Sequence, residues 1–516
     1  MKKTLILLLV ALLMVAVQFT PLAQAAFAQT IPAAQDASPA NWYEVFVYSY
    51  QDSDGDGIGD LNGLSQRLPY ITQMGFDGLW LMPIMPSPSY HKYDVTDYCA
   101  VDPLYGTVDD LKALVAQCHQ AGVRVILDLP INHTSTQHPW FQAAAAALRE
   151  GDEENPYVGY YCFSREAGLK KTALEGTGWF YEEQFSGGDM PDLNLDNPAV
   201  VGEIERILSF WLEECDVDGF RLDAVTSYYA GSTEKNVAFL SRLKAIAEAI
   251  KPGSYLVGEA WTGLTEIARY YGSDLDSFFL FPASQAEGYV ARSLLSRKPA
   301  SSYIGYLEQV EQAISSGVLA PFLSNHDTGR AVGALQARKL PDRLKFAHAA
   351  LAVMGGNTFT YYGEEIGMAG SGDDPNKRTA MYWNDEEMTL QPPGVTKAEY
   401  PYPCVDEQLA DPGSLLNYIR ALNEMKKQVP AIARGAHATV YYDNFLCLLR
   451  RDWQSESVYI AMNFSSSQTL SLDLPEELAS PAILYDLETG SEACALDAAH
   501  RSVCLPPYAV VVISHS

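Results

Sequence analysis

The sequence predicts an α/β chain built as a (β/α)8 TIM barrel, interrupted after its third strand and followed by an antiparallel β-domain. Three observations carry that expectation. From about Asn41 to residue 430, eight short β-rich runs alternate with helical patterns. The connection from His133 to about Asn194 is far too long for an ordinary strand–helix loop, and reads as a functional loop or a small subdomain. After about residue 435 the helical period stops and alternating runs take over.

In chain order, the first element is one to set aside. Lys2 and Lys3 precede the apolar run from Leu5 to Val17, and small residues ending at Ala25 or Ala28 offer cleavage sites. Residues 1–28 therefore read as a secretory signal peptide, too short in its apolar part to span a bilayer. The expected product is secreted. The eight strand runs are YEVFVYSY, GLWLMP, VRVILDL, VDGFRLD, SYLVGEA, DSFFLF, LAPFLSNHD and NTFTYYG, starting at Tyr43, Gly78, Val123, Val217, Ser254, Asp276, Leu319 and Asn357. Between them lie good helix signals. Thr107 with Asp110 makes a capping box, Leu111, Leu114, Val115 and Cys118 make one face, and Gly122 ends the helix. Pro198 follows Asn197 as a first-turn proline, ahead of a stripe of Val201, Ile204, Ile207, Leu208, Trp211 and Leu212. No clear helix is read between His133 and Pro198. Beyond the barrel, HATVYYD, FLCLLRR, SVYIAMNF, QTLSLDL and YAVVVIS read as terminal strands. The expected boundaries are barrel at 41–133 and 196–435, an insertion at 134–195, and the β-domain at 436–516.

Charge narrows the partners. Lys and Arg total 35 against 64 Asp and Glu, a formal net charge of −29. Such a surface repels phosphate backbones and anionic membranes, so neither nucleic acid nor membrane is an expected partner; a neutral sugar polymer suits it. The chain is expected to act as a monomer. Of eight cysteines, Cys494 and Cys504 are the best candidates for a disulfide, whereas Cys99, Cys118 and Cys215 read as small core residues.

Chemistry concentrates at strand ends. Asp128, Asp223, Glu259 and Asp327 each end or follow a candidate strand, where a barrel places its active site. Cleaving an acetal needs a proton donor on the leaving oxygen and a carboxylate facing the anomeric carbon. Asp223 and Glu259 end neighbouring strands and suit that pair. Arg221 stands two residues before Asp223, on the same strand face, and would hold that carboxylate ionised.

DLPINH (128–133), GFRLDAV (219–225), GEAW (258–261) and FLSNHD (322–327) resemble the four ordered motifs of the α-amylase family, glycoside hydrolase family 13. MPDLN (190–194) looks like its fifth motif, and YHKYDVTDYCAVDPLYG (90–106) is similar to a segment lining the sugar site. The resemblance covers about residues 41–430. It implies that residues 134–195 form the family's inserted B domain. It implies a retaining hydrolase of α-1,4-glucosidic bonds in starch or maltooligosaccharides, with transglycosylation as an open side reaction. Asp223 would be the nucleophile, Glu259 the acid/base and Asp327 the stabiliser of the distorted transition state. Arg221, His133 and His326 would bind the same sugar, Tyr93 would stack beneath it with Asp94 nearby, and Arg378 would reach a neighbouring sugar. MPDLN lies between oligo-1,6-glucosidase-like and neopullulanase-like forms, so an exo-acting α-glucosidase or an oligo-1,6-glucosidase remains the alternative.

The segment DSDGDGIGD (52–60) alternates acids like an EF-hand loop, yet the twelfth position would be Gly63, where an EF-hand needs glutamate. A similar loop binds calcium in oligoglucosidase-like members of the family. The resemblance implies calcium on Asp52, Asp54, Asp56, the Ile58 carbonyl and Asp60. Thr226 and Ser227 stand where many α-amylases carry Lys-His, so a second calcium and a lysine–substrate contact are not carried over.

Overall fold

Eight parallel strands form the centre: β1 Asn41–Val45, β2 Gly78–Leu81, β3 Arg124–Leu129, β4 Gly219–Leu222, β5 Tyr255–Gly258, β6 Ser277–Phe279, β7 Val318–Ala320 and β8 Thr358–Tyr361. They pair in the order β7-β6-β5-β4-β3-β2-β1-β8, and a parallel bridge between Phe322 and Phe359 joins the two ends into a barrel. This computed structural model describes residues 40–185, 187–478, 480–487, 493–497 and 501–515; the expected signal peptide lies outside the described residues. Among the described residues no helix is long and apolar enough to cross a membrane.

All eight expected runs overlap a barrel strand, β1 and β7 beginning just ahead of theirs. The first is shorter than its pattern. The strand stops at Val45, and Val47–Ser49 curls into a 3-10 turn in which Ser49 N–H donates to the Phe46 carbonyl. Every residue from Asn41 to Tyr50 is buried, so hydrophobicity alone could not mark the end of the strand.

Inside the barrel, Trp42 lies between Tyr255 and Phe359, with centroids 4.9 and 5.6 Å away and rings nearly parallel. Trp80, Ile126, Val257, Phe279, Ala320 and Phe322 complete this plug. Gly78 is required beside it, because a Cβ there would sit 2.4 Å from the Trp42 ring. Such close packing makes the barrel a rigid frame for its loops. The outer helices follow their sequence signals. Val108–Gln120 has both halves of the Thr107–Asp110 capping box. Pro198–Ser209 is capped by Asn197, whose side chain accepts from Ala199 N–H, and its predicted stripe is buried.

The insertion departs from expectation. Pro139–Glu150 is a helix, capped by His138 Nδ1 accepting from Trp140 N–H and ended by Gly151 at φ 79°. Its alanine run has high helix propensity, and the proline and glycine bracket it at the favoured ends. Polar, Gly-rich neighbours masked that pattern. A small antiparallel sheet follows, in the order Phe163–Ser164, Trp179–Glu182, Lys171–Leu174. Bridges from His133 to Asp192 and from Tyr161 to Leu193 tie it back to the end of β3.

The C-terminal part is two antiparallel sheets, of five and three strands, packed over Leu446, Leu448, Tyr459, Val503, Leu505, Val511 and Ile513. The five expected runs are strands; Pro481–Leu487, Ala495–Asp497 and Ser502–Leu505 add to them. The Cys494–Cys504 disulfide is not formed, and Cys504 is a free thiol. Cys504 stands opposite Ala495, so Cys494 is one residue out of register and points to the other face. Cys118 and Cys215 are buried, as expected, but Cys99 is only half-buried, with its Sγ 3.2 Å from Arg206.

Candidate active site

Asp128 on β3, Asp223 after β4, Glu259 after β5 and Asp327 after β7 converge at the C-terminal end of the barrel. Arg221 on β4 is the hub. It is fully buried, and its Nη1 donates to Asp128 Oδ1 at 2.8 Å and to Asp223 Oδ1 at 2.6 Å. The other nitrogen, Nη2, is 2.9 Å from Glu259 Oε1. One guanidinium thus joins the two acids expected to do the chemistry. The fork geometry is peculiar to arginine; a lysine could not span both.

The backbone locks the same pair. Immediately after Asp223 the chain turns, placing Ala224 at φ 46°. Its N–H then donates to Glu259 Oε2 at 2.8 Å. A non-glycine residue in the left-handed region is strained and persists only where its surroundings hold it.

Burial sets the proton inventory. Desolvation pushes Glu259 up to about 8; the nearby Asp223 and Asp327 charges add to this, while Arg221 opposes it. Asp128 rises to about 6 through burial and the Asp223 charge, again against Arg221. Burial would also raise Asp327, but His326, Arg378 and Arg221 more than reverse it and hold this carboxyl far below the usual range. Glu259 is therefore the acid that keeps its proton at neutral pH, and Asp327 stays ionised.

Around these acids sit the expected sugar-binding residues. Tyr93 donates to Asp128 Oδ2 at 2.9 Å, lies 2.6 Å from His326 Nε2, and stacks on the His326 ring at 5.5 Å. Arg378 donates to Asp327 Oδ1 at 2.8 Å. His133 is buried, and the loss of water lowers its pKa. A cleft of about 180 Å³ is lined by Tyr93, His133, Asp223, Asp327 and Arg378 together with His91, Phe185, Met190 and Asp374. Asp94 behaves differently. Its carboxylate accepts from the Ser87 and Ser89 hydroxyls, and neither Asp94 nor the wholly buried Arg221 and His326 line the cleft.

Several site residues were not read from sequence. Phe185 packs edge-on against His133, its centroid 5.2 Å away. Phe185 comes from the insertion, where only the fold brings it to the cleft; Met190, the first residue of the MPDLN motif, lines the cleft with it. Glu44, on β1, lies 2.5 Å from His326 Nδ1. Its sequence trace was an acid inside an otherwise apolar strand.

In the acidic loop, one oxygen each from Asp52, Asp54 and Asp60 lie within 4.8 Å of one another. That spacing fits a hard cation, whose oxygen ligands stand about 2.3–2.6 Å from the ion. Asp56 is outside the trio, its Oδ1 accepting from Ile58 N–H at 2.7 Å. Asp60 also caps the helix Leu61–Gln66.

The family model "Alpha amylase, catalytic domain" matches residues 44–435. Alpha-amylase 3 of Dictyoglomus thermophilum is 34% identical over 486 residues, covering 92% of this chain and 93% of that protein. The trehalose synthase/amylase TreS of Mycobacterium tuberculosis is 31% identical, covering 77% of this chain and 76% of its own. Among solved structures, Eubacterium rectale Amy13B superposes with a TM-score of 0.89 at 40% identity, covering 94% of this chain and 96% of that one.

Proposed function

Because this chain belongs to the alpha-amylase family of glycoside hydrolases acting on α-glucans, we propose that it cleaves α-1,4-glucosidic bonds in starch or maltooligosaccharides with retention of configuration. The observation that carries this reading is Arg221 joining Asp223 and Glu259 while Glu259 keeps its proton. Two carboxyl groups so closely coupled suit a double displacement, which needs them only about 5 Å apart.

Asp223 attacks the anomeric carbon as Glu259 gives its proton to the departing glycosidic oxygen. A covalent glycosyl–enzyme forms, and the leaving sugar departs neutral. Glu259, now ionised, takes a proton from water, and the resulting hydroxide equivalent displaces Asp223 from the same carbon. Asp327, ionised and gripped by Arg378 and His326, holds the sugar hydroxyls and stabilises the positive charge that develops on the ring. Tyr93 offers its face beneath that ring and His133 orients it, while the buried Arg221 acts through Asp223 and Glu259.

Calcium on the loop 52–60 would brace the β1 connection, with Asp52, Asp54 and Asp60 as its carboxylate ligands. Export by the N-terminal segment is part of the same proposal. One observation favours a second reading. The cleft is small, and Phe185 and Met190 of the insertion wall one side, which suits exo-action on chain ends. Product analysis on starch, maltose, isomaltose and pullulan separates these readings, with the first anomer followed by proton NMR. An initial β-anomer would rule out retention at an α-linkage, and activity confined to isomaltose would overturn the α-1,4 assignment.

A further inference from the structure

The geometry points to Glu44 as a positioning residue for the catalytic centre: it clamps His326 from behind, and His326 in turn holds Asp327 and Tyr93 in place. Glu44 projects from β1 and is 1% exposed; His326 is fully buried. Glu44 Oε1 is 2.5 Å from His326 Nδ1. On the opposite edge of the ring, His326 Nε2 is 3.0 Å from Asp327 Oδ2 and 2.6 Å from the Tyr93 hydroxyl. The imidazole is therefore held between two carboxylates, one on each nitrogen.

That arrangement has a chemical consequence. With a carboxylate at each nitrogen, both nitrogens are best used as donors, which makes the ring an imidazolium. Burial works against the charge, but Asp327 and Glu44 outweigh it and push His326 up to about 9. Other groups face the same ring. Trp80 on β2 presents an edge contact at 5.8 Å, and Asp128 on β3 lies near enough to feel its charge. Arg378 reaches the His326 carbonyl through Nε at 3.2 Å, and the Arg221 guanidinium is 5.9 Å from the Tyr93 ring stacked on it. Among the described charged groups that touch the imidazole nitrogens, Asp327 faces the cleft and Glu44 is on the side away from it. It can set the ring's orientation and charge without touching substrate, since Tyr93, His326 and Asp327 stand between.

A carboxylate in this place explains an otherwise costly choice. An acid buried in the first strand of an apolar barrel must be paired to be tolerated. Here the pairing is spent on the ring that orders Asp327. Replacing it by a neutral amide keeps the shape and removes the charge.

The inference rests on the α-glucosidic reading, so the test uses a substrate that reports on the two separately. For α-glucosyl fluoride, fluoride leaves with little need of a proton, so kcat/KM through the first step does not require protonated Glu259. Its alkaline limb then follows His326. In Glu44→Gln that limb should move down by about one pH unit or more, because one of the two charges holding the proton is gone. The loss at pH 6 should stay within about tenfold, the order of one pKa unit's worth of free energy. Glu44→Asp keeps the charge and should leave the limb near that of the unmodified enzyme, though with lower kcat. A limb unmoved in Glu44→Gln, or a loss uniform across pH with only a lower melting temperature, would make Glu44 a packing residue. If Glu44→Gln does not fold, Glu44→Asp decides alone: a limb displaced as far as one pH unit overturns the clamp. An unmodified enzyme inert on every α-glucosyl substrate would instead sink the functional reading.

Discussion

Two regions of this molecule each gather four carboxylates, and they solve the problem of repulsion in different ways. At the barrel mouth, Asp128, Asp223 and Glu259 are buried, Asp327 is partly exposed to the cleft, and together they share Arg221, Arg378 and His326. In the loop after β1, Asp52, Asp54 and Asp56 are wholly or partly exposed, and among the described residues none of them pairs with lysine or arginine. They accept backbone N–H groups instead. Asp52 takes those of Asp54, Gly55 and Gly57, which outweigh its slight burial and lower its pKa. In the dry site burial raises Glu259 and Asp128, while His326, Arg378 and Arg221 hold Asp327 ionised, so similar groups come to differ in charge. Backbone donors in a wet loop orient the oxygens but supply no full positive charge.

The sharpest break in this comparison is Asp223→Asn. It should lower hydrolysis by about three decades or more while circular dichroism is unchanged, since a covalent step worth several kcal/mol is lost. A variant keeping a tenth of the activity would remove Asp223 from the nucleophile's role.

Next comes Glu259→Gln. Starch hydrolysis should fall by about 10²–10⁴, the usual worth of a general acid, whereas α-glucosyl fluoride should still label the enzyme. In the unmodified enzyme the proton sits on Glu259 below about pH 8 and is lost above it. Starch activity should accordingly fall as pH rises through about 8, and an alkaline limb near pH 5 would contradict the assignment.

Arg221→Met tests the hub itself. It strands three carboxyl groups in a buried site, and removing one partner of a buried pair costs about 3–5 kcal/mol. The denaturant midpoint should drop sharply, with activity lost as well; an unchanged midpoint would mean the carboxylates need no shared cation.

The loop should respond more mildly. Calcium at a hundredfold excess over Kd would add about 2.7 kcal/mol to stability, so EDTA should lower the melting temperature and calcium restore it. Asp54→Ala should abolish that response, whereas Asp56→Ala, outside the trio of oxygens, should weaken it least. An identical melting curve with and without both reagents would leave an ordinary solvated turn.

Much of the candidate site is legible in the sequence, for a definite reason. Strand-end acids such as Asp223 and Glu259 sit at fixed places in a period-2 pattern, and Arg221 falls on the Asp223 face by parity alone. The helix Pro139–Glu150 was missed although its proline, alanine run and glycine were readable, because the polar character of the surrounding loop dominated. Asp94 followed its motif in sequence but turned to Ser87 and Ser89, a choice made by local hydroxyls.

The linear sequence by itself determined the order of strands and helices, the caps at Thr107 and Asn197, and which acids end which strands. These depend on residues a few positions apart, where propensity and periodicity act. Only the tertiary structure decided that Glu44 on the first strand would meet His326 after the seventh, that Phe185 would wall the cleft, and that Glu259 would keep its proton. Those outcomes depend on burial and on distances between residues tens to hundreds of positions apart. Closing the barrel brings such groups together, and removing water from between them makes each charge felt by the next.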